Sequence, residues 1–194
     1  MGENKRNFVI GDIHGAYHAF RDCLAAVQFD YEKDLLICLG DVCDGWPQTK
    51  ESIDEMLKMK HLVYILGNHD KWAFQWFLSK KVPDIWTSQG GNATMHSYRE
   101  GIPEAHVNFM KRADYYHIID NKVFVHGGFD PSKANYQQDP EVFLWDRSML
   151  YQAIEDGESG INEKLTSFDE IYVGHTPTIK LGERKPLNYA EIWM

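Results

Sequence analysis

Cysteine is scarce in this 194-residue chain: Cys23, Cys38 and Cys43 are odd in number and lack paired-motif spacing. A disulfide framework is therefore excluded as the organising principle, and free thiols in a reducing cytoplasm are expected. Long apolar runs are also missing. The longest is far too short to span a bilayer, and Met1–Asn7 is polar with no signal-like core, so the reading is a cytoplasmic protein with no membrane partner. Positive charge is in deficit, with 20 Lys and Arg against 29 Asp and Glu and a net charge of −9. No basic run or stripe appears, which argues against nucleic acid as a partner. An anionic substrate would need metal ions to hold it. What remains is ordinary: 43% hydrophobic and 25% charged residues, in a length that suits one sizeable domain.

Against that background one stretch stands out. Asp34 to Cys38 leads through Leu39-Gly40 into Asp41-Val42-Cys43-Asp44-Gly45. An apolar run without polar alternation reads as a buried strand, and Gly40 lets the chain leave the sheet. Asp41 is thereby held at the carboxyl end of a strand, where open α/β sheets bind ligands. Its two oxygens allow it to bridge two metal ions. The same pattern precedes it in Phe8-Val9-Ile10 with Gly11-Asp12-Ile13-His14-Gly15, and follows it in Leu62 to Leu66 with Gly67-Asn68-His69-Asp70. Asp12 and His14 are two apart, so on extended chain they point the same way. Asp with His suits manganese, iron or zinc and is poor for calcium. Helical patterns at Ala16–Phe29 and after Pro47 separate the three runs, which implies βαβαβ with a parallel sheet.

These motifs, GDIHG, GDVCDG and GNHD in order, resemble the calcineurin-like metallophosphoesterase superfamily. Val125-His126-Gly127-Gly128 and Val173-Gly174-His175-Thr176 extend the resemblance to nearly the whole chain. The stretches Trp86–Thr94 and Trp145-Asp146-Arg147 are similar to those of bacterial and phage serine/threonine protein phosphatases and symmetric dinucleoside tetraphosphatases. The implied fold is a four-layer α/β/β/α sandwich of two mixed sheets. The implied cofactors are two divalent metal ions, manganese first, with iron or zinc as alternatives. Asp12, His14 and Asp41 would hold one ion; Asp41, Asn68, His126 and His175 would hold the other. A hydroxide bridging the ions would attack phosphorus. His69 would protonate the leaving oxygen, Asp44 would hydrogen-bond His69, and Arg147 would grip the phosphoryl oxygens. Family members usually carry an arginine where Gly45 stands, and protein phosphatases more often have glutamate where Asp70 stands.

The resemblance implies a serine/threonine-type phosphatase acting on a phosphorylated protein or another phosphoester. A symmetric dinucleoside tetraphosphate hydrolase is the alternative enzyme, and an inactive metal-binding regulatory domain is an alternative of another class. One domain is expected, residues 1–194, with an insert at about 72–113 over the site. Within the insert Trp72–Ser79 reads as helix, Lys80–Gly101 as irregular and Pro103–Arg112 as helix. Trp72, Trp76, Trp86 and Tyr98 could line a substrate pocket or form the insert's own core. Asp120-Asn121 reads as a hairpin turn, and Asp130–Gln138 and Glu155–Asn162 as loops. The family continues past this point, so the C-terminal strands are expected to be missing and Tyr189–Met194 to lie at an incompletely paired sheet edge.

Overall fold

Three short apolar runs make the first sheet in this computed structural model, which describes residues 5–134, 137–161 and 163–194. β1 (Asn7–Ile10), β2 (Leu35–Cys38) and β3 (His61–Tyr64) pair in parallel in that order, with Val9 beside Ile37 and Ile37 beside Val63. The crossovers carry α1 (Tyr17–Ala26) and α2 (Thr49–Met56), both shorter than the periodic patterns that announced them. β2 is buried at all four residues because it is covered on both faces. Its side chains alternate. Leu36 and Cys38 join a cluster with Phe20, Leu24, Ile53 and Met56, whereas Leu35 and Ile37 pack with Leu39, Ile65 and Phe124.

Phe124 belongs to the second sheet, so the two sheets meet face to face along β2. This sheet holds β4 (Tyr116–Ile119), β5 (Lys122–Val125), β6 (Glu170–Val173), β7 (Asn188–Tyr189) and β8 (Ile192–Trp193), in the order β4-β5-β6-β8-β7. β4 and β5 form the expected hairpin, with Asp120 and Asn121 both left-handed at φ 49° and 57°. On the outer face Val123, Val125, Ile171, Val173 and Ile192 meet Phe143 of α7 (Pro140–Trp145) and Leu150 and Ile154 of α8 (Ser148–Glu158). Between β3 and β4 come α3 (Asn68–Ser79), α4 (Asp84–Ser88), α5 (Gly91–Ser97) and α6 (Glu104–Lys111). Phe77, Trp86, Tyr98 and Met110 from this region share the first cluster with α1 and α2.

Five expectations need correcting. The two sheets are not both mixed: β1, β2 and β3 pair only in parallel, and only the second sheet combines parallel and antiparallel neighbours. Lys80–Gly101 is not irregular throughout: it holds α4 and α5, whose two short helices lie on either side of Gln89-Gly90. Glu155–Asn162 is not all loop, since α8 continues to Glu158 with Ala153 and Ile154 on its buried face. Ile192 and Trp193 are not at a sheet edge, because β8 pairs in parallel with β6 and antiparallel with β7. Asp12 and His14 do not meet through strand alternation, for β1 ends at Ile10 and His14 has φ 48°. A turn brings them together. Met1–Asn4, residues 135 and 136 of the Asp130–Gln138 loop, and Asn162 lie outside the described residues. No described helix is long and apolar enough to cross a membrane.

Ile37 is 1% exposed at the centre of the contact between the sheets. Ile37→Ala should therefore cost about 2–5 kcal/mol of stability, read as a lowered urea midpoint at unchanged slope. A cost within the scatter of surface substitutions would mean that the sheets do not depend on each other there.

Candidate active site

The loops after β1, β2, β3, β5 and β6 converge, and every residue expected in the site sits on one of them or close by. Asp41 lies at the centre. It is buried and left-handed at φ 51°, and its backbone carbonyl accepts from the amides of Ile13 and His14 at 3.0 and 2.8 Å. Gly67 makes room for it, since a Cβ there would fall 2.0 Å from Asp41 Oδ1. That oxygen instead accepts the amide of His69 at 3.0 Å. His14, Asp44 and His175 are also left-handed, at φ 48°, 75° and 63°. Non-glycine residues in this region cost about 1–3 kcal/mol each and persist where surrounding contacts over-determine them. Four such residues, His14, Asp41, Asp44 and His175, lie together at one end of the two sheets.

Asp41 belongs to two groups of side chains. One joins it to His14 and His69, the other to His126 and His175, each with ligand-capable atoms within 4.8 Å of one another. In the first, His14 Nδ1–H donates to the carbonyl of Cys43 at 2.8 Å, which turns Nε2 to the site, 3.9 Å from both Asp12 Oδ2 and Asp41 Oδ2. In the second, His126 Nδ1–H donates to the Leu39 carbonyl at 2.8 Å. Its Nε2 then faces Asn68 Oδ1 at 2.9 Å, His175 Nδ1 at 3.1 Å and Asp41 Oδ2 at 3.3 Å. A proton on Nε2 serves these acceptors, and a cation held by the same atoms would take its place. His175 Nε2 is buried and has no hydrogen-bond partner among the described residues.

The electrostatics agree. Burial opposes charge on His126, yet the Asp41 carboxylate lifts its pKa to about 9. Burial, then His126 and Arg147, push His175 down to about 3. Burial works against ionised Asp41, but His126 outweighs it and the pKa falls. Burial raises Asp12, whose Oδ1 accepts the His175 amide at 3.0 Å. Buried oxygens beside imidazole nitrogens form a donor set that suits divalent metal ions, and an ion there would displace the proton that Asp41 favours on His126, so these residues fit a metal site.

His69 is oriented separately. Its Nδ1–H donates to Asp44 Oδ2 at 2.7 Å, and its ring packs edge-on against those of His14 and Trp72. Burial disfavours its charge, but the Asp44 bond prevails and the pKa rises. Arg147 Nε–H donates to Thr176 Oγ1 at 3.0 Å, and the guanidinium makes no ion pair with Asp146 or Glu141 among the described contacts. Glu141 instead pairs with Lys71. A cavity of about 410 Å³ opens over the group, lined by Asp12, His14, Asn68, His69, Trp72, Trp145 and Arg147 among others.

Sequence reasoning missed four contributors. Lys180 lines the cavity on a short 3-10 helix (Thr178–Leu181) and carries no motif. Asp70 is fully buried and accepts the amides of Cys43 and Gly67, both at 3.1 Å, which pins the β2 loop to the start of α3. Burial and then Asp41 raise its pKa. Trp86 and Thr94 both donate to Asp44 at 2.7 Å. Of the four aromatic residues considered for a pocket, Trp72 lines the cavity, while Trp76, Trp86 and Tyr98 pack in the helical core.

Residues 6–184 match the family model for calcineurin-like phosphoesterases. Serine/threonine-protein phosphatase 1 of Salmonella typhimurium is 24% identical over 195 positions, covering 95% of this chain and 82% of that protein. The symmetrical bis(5'-nucleosyl)-tetraphosphatase of Hamiltonella defensa is 40% identical over 65 residues, 33% of this chain and 24% of that protein. Among solved structures, a protein serine/threonine phosphatase from Saccharomyces cerevisiae superposes with a TM-score of 0.59 at 13% identity, covering 97% of this chain and 69% of that one. The two sheets, the Asp41-centred ligand groups and a match across nearly the whole chain lead to one conclusion: the protein belongs to the calcineurin-like phosphoesterase family, hydrolases of phosphoric esters that use metal ions.

Proposed function

We propose that this chain is a serine/threonine-type phosphoprotein phosphatase with a dinuclear metal site. The observation that carries the metal assignment is the position of Asp41, common to both ligand groups. Asp12, His14 and Asp41 would hold one divalent ion, and Asp41, Asn68, His126 and His175 the other. Manganese suits this mixture of carboxylate, amide and imidazole donors, as do iron and zinc. When bound, two such ions supply positive charge to the phosphoryl oxygens and acidify water into a nucleophile.

The chain's own residues do the rest. His69 can carry a second proton on Nε2, because the Asp44 carboxylate that accepts Nδ1–H at 2.7 Å favours the imidazolium. That proton goes to the alkoxide as the ester bond breaks. Arg147 lines the cavity where Gly45 contributes no side chain, and its forked donors fit phosphoryl oxygens in a way lysine's cannot. Trp72 and Trp145, with ring centroids 5.4 Å apart, give the cavity an aromatic wall that limits water around the ester. Similarity to the Salmonella phosphatase across 95% of the chain favours a phosphoprotein substrate. The denser but local match to the Hamiltonella tetraphosphatase supports the second reading, a symmetric dinucleoside tetraphosphate hydrolase.

Side-by-side assays with added manganese separate the two. A phosphoserine peptide should be hydrolysed more efficiently than diadenosine tetraphosphate, and the reverse ranking would select the second reading. Asp41→Asn should abolish hydrolysis and lower occupancy of both metals, while His14→Asn should mainly lower one. Elemental analysis reads this directly, and equal loss of a single ion in both variants would refute the bridge. His69→Asn should slow the phosphoserine peptide by about 10²–10⁴-fold and p-nitrophenyl phosphate far less, because nitrophenolate leaves without help. Identical losses on both substrates would leave His69 a purely structural role.

A further inference from the structure

Asp44 is fully buried, and its carboxylate takes three side-chain donors. Oδ2 accepts from His69 Nδ1–H and from Trp86 Nε1–H, each at 2.7 Å, and Oδ1 accepts from Thr94 Oγ1–H at 2.7 Å. The Thr94 hydroxyl in turn accepts the Asp44 amide at 2.8 Å and lies 3.3 Å from Thr49 Oγ1. Trp86, Thr94 and Thr49 are themselves 0% exposed. Water therefore cannot replace either donor.

We propose that Trp86 and Thr94 are positioning residues for ester hydrolysis, acting through Asp44 on His69; this rests on His69 being the proton donor. Indole can only donate, and the Thr94 hydroxyl proton goes to Oδ1 because its lone pair already receives the Asp44 amide. Asp44 is thus held as an acceptor with its plane set by two helices, α4 and α5. An Asp44 limited to accepting makes His69 Nδ1 the donor, and so dedicates Nε2 to the cavity. One donor alone would leave the carboxylate free to turn about χ2 and carry His69 with it.

The surrounding structure is built to keep those donors in place. At Gly91 a Cβ would fall 2.5 Å from the Trp86 ring, so glycine seats the indole. The C-terminal end of α5 is tied down by Tyr98, whose hydroxyl donates to His106 Nδ1 at 2.7 Å, while His106 Nε2–H donates to Asp54 at 2.9 Å. Satisfied buried networks of this kind specify a single geometry. The chemistry needs that geometry at His69, 25 residues along the chain from Thr94.

The test uses the full chain with manganese, a phosphoserine peptide and p-nitrophenyl phosphate. Thr94→Val should lower kcat on the peptide by about tenfold, a fraction of the loss expected for His69→Asn, with KM and metal content unchanged. It should affect p-nitrophenyl phosphate far less, and Thr94→Ser should restore most of the peptide activity. Added to His69→Asn, Thr94→Val should cause no further loss, because both act through one proton transfer. Trp86→Phe gives the same readout should the valine variant fail to fold. Equal losses on both substrates, or additive losses in the double variant, would overturn the proposal. If His69→Asn discriminates between the substrates and neither the Thr94 nor the Trp86 variant does, this inference alone falls. If His69→Asn itself fails to discriminate, the proton-donor reading falls and takes this one with it.

Discussion

The active end of the molecule depends on keeping the Asp41 carboxylate ionised inside the protein. An isolated buried carboxylate would take up a proton, because desolvation penalises its charge. Here Oδ1 accepts the His69 amide at 3.0 Å, and Oδ2 lies 3.3 Å from His126. The β2 loop that carries Asp41 is in turn held by Asp70 and by hydrogen bonds from the β1 loop. Each of these contacts preserves negative charge where water cannot screen it. The imidazoles of His14 and His126 turn Nε2 inward because Nδ1 of each is committed to a backbone carbonyl. A pocket of that polarity draws cations.

The two sheets divide the work. The first sheet supplies Asp12, His14, Asp41 and Asn68 from the loops after β1, β2 and β3, and the second supplies His126 and His175 from the loops after β5 and β6. Packing along β2 against Phe124 brings these two sets into one cavity. Of the helices between β3 and β4, α3 begins with Asn68 and His69, while α4 and α5 reach the same end from the side and contact Asp44. His69 is thus oriented, through Asp44, by two helices that hold none of the metal-suited groups.

Much of this was legible in the sequence for a local reason. An apolar run followed by glycine and a polar residue encodes a strand end within five or six residues, and three such runs in order imply the parallel sheet. The candidate ligands sit inside those short patterns, so their identities could be read without any tertiary knowledge. The Asp120-Asn121 turn was legible on the same grounds. What failed also failed for local reasons. α4 has five residues and α5 seven, too few for helical periodicity to emerge from a segment with three glycines. β8 has two residues, and its place between β6 and β7 depends on partners in other parts of the chain.

By itself, then, the sequence determined the strand-end motifs, the acidic balance that makes metal ions necessary for an anionic substrate, and the residue types gathered in the site. Only the tertiary structure decided how they meet. Asp12 faces His14 because a left-handed turn places it there, not because of strand alternation. His126 faces Asn68, 58 positions away, because two sheets pack together, and Trp86 turns its indole to Asp44 because α4 is folded back over the β2 loop. Hydrogen bonds and charge interactions fall off within a few ångströms, so which groups pair is settled by packing across the fold, and spacing along the chain holds no record of it.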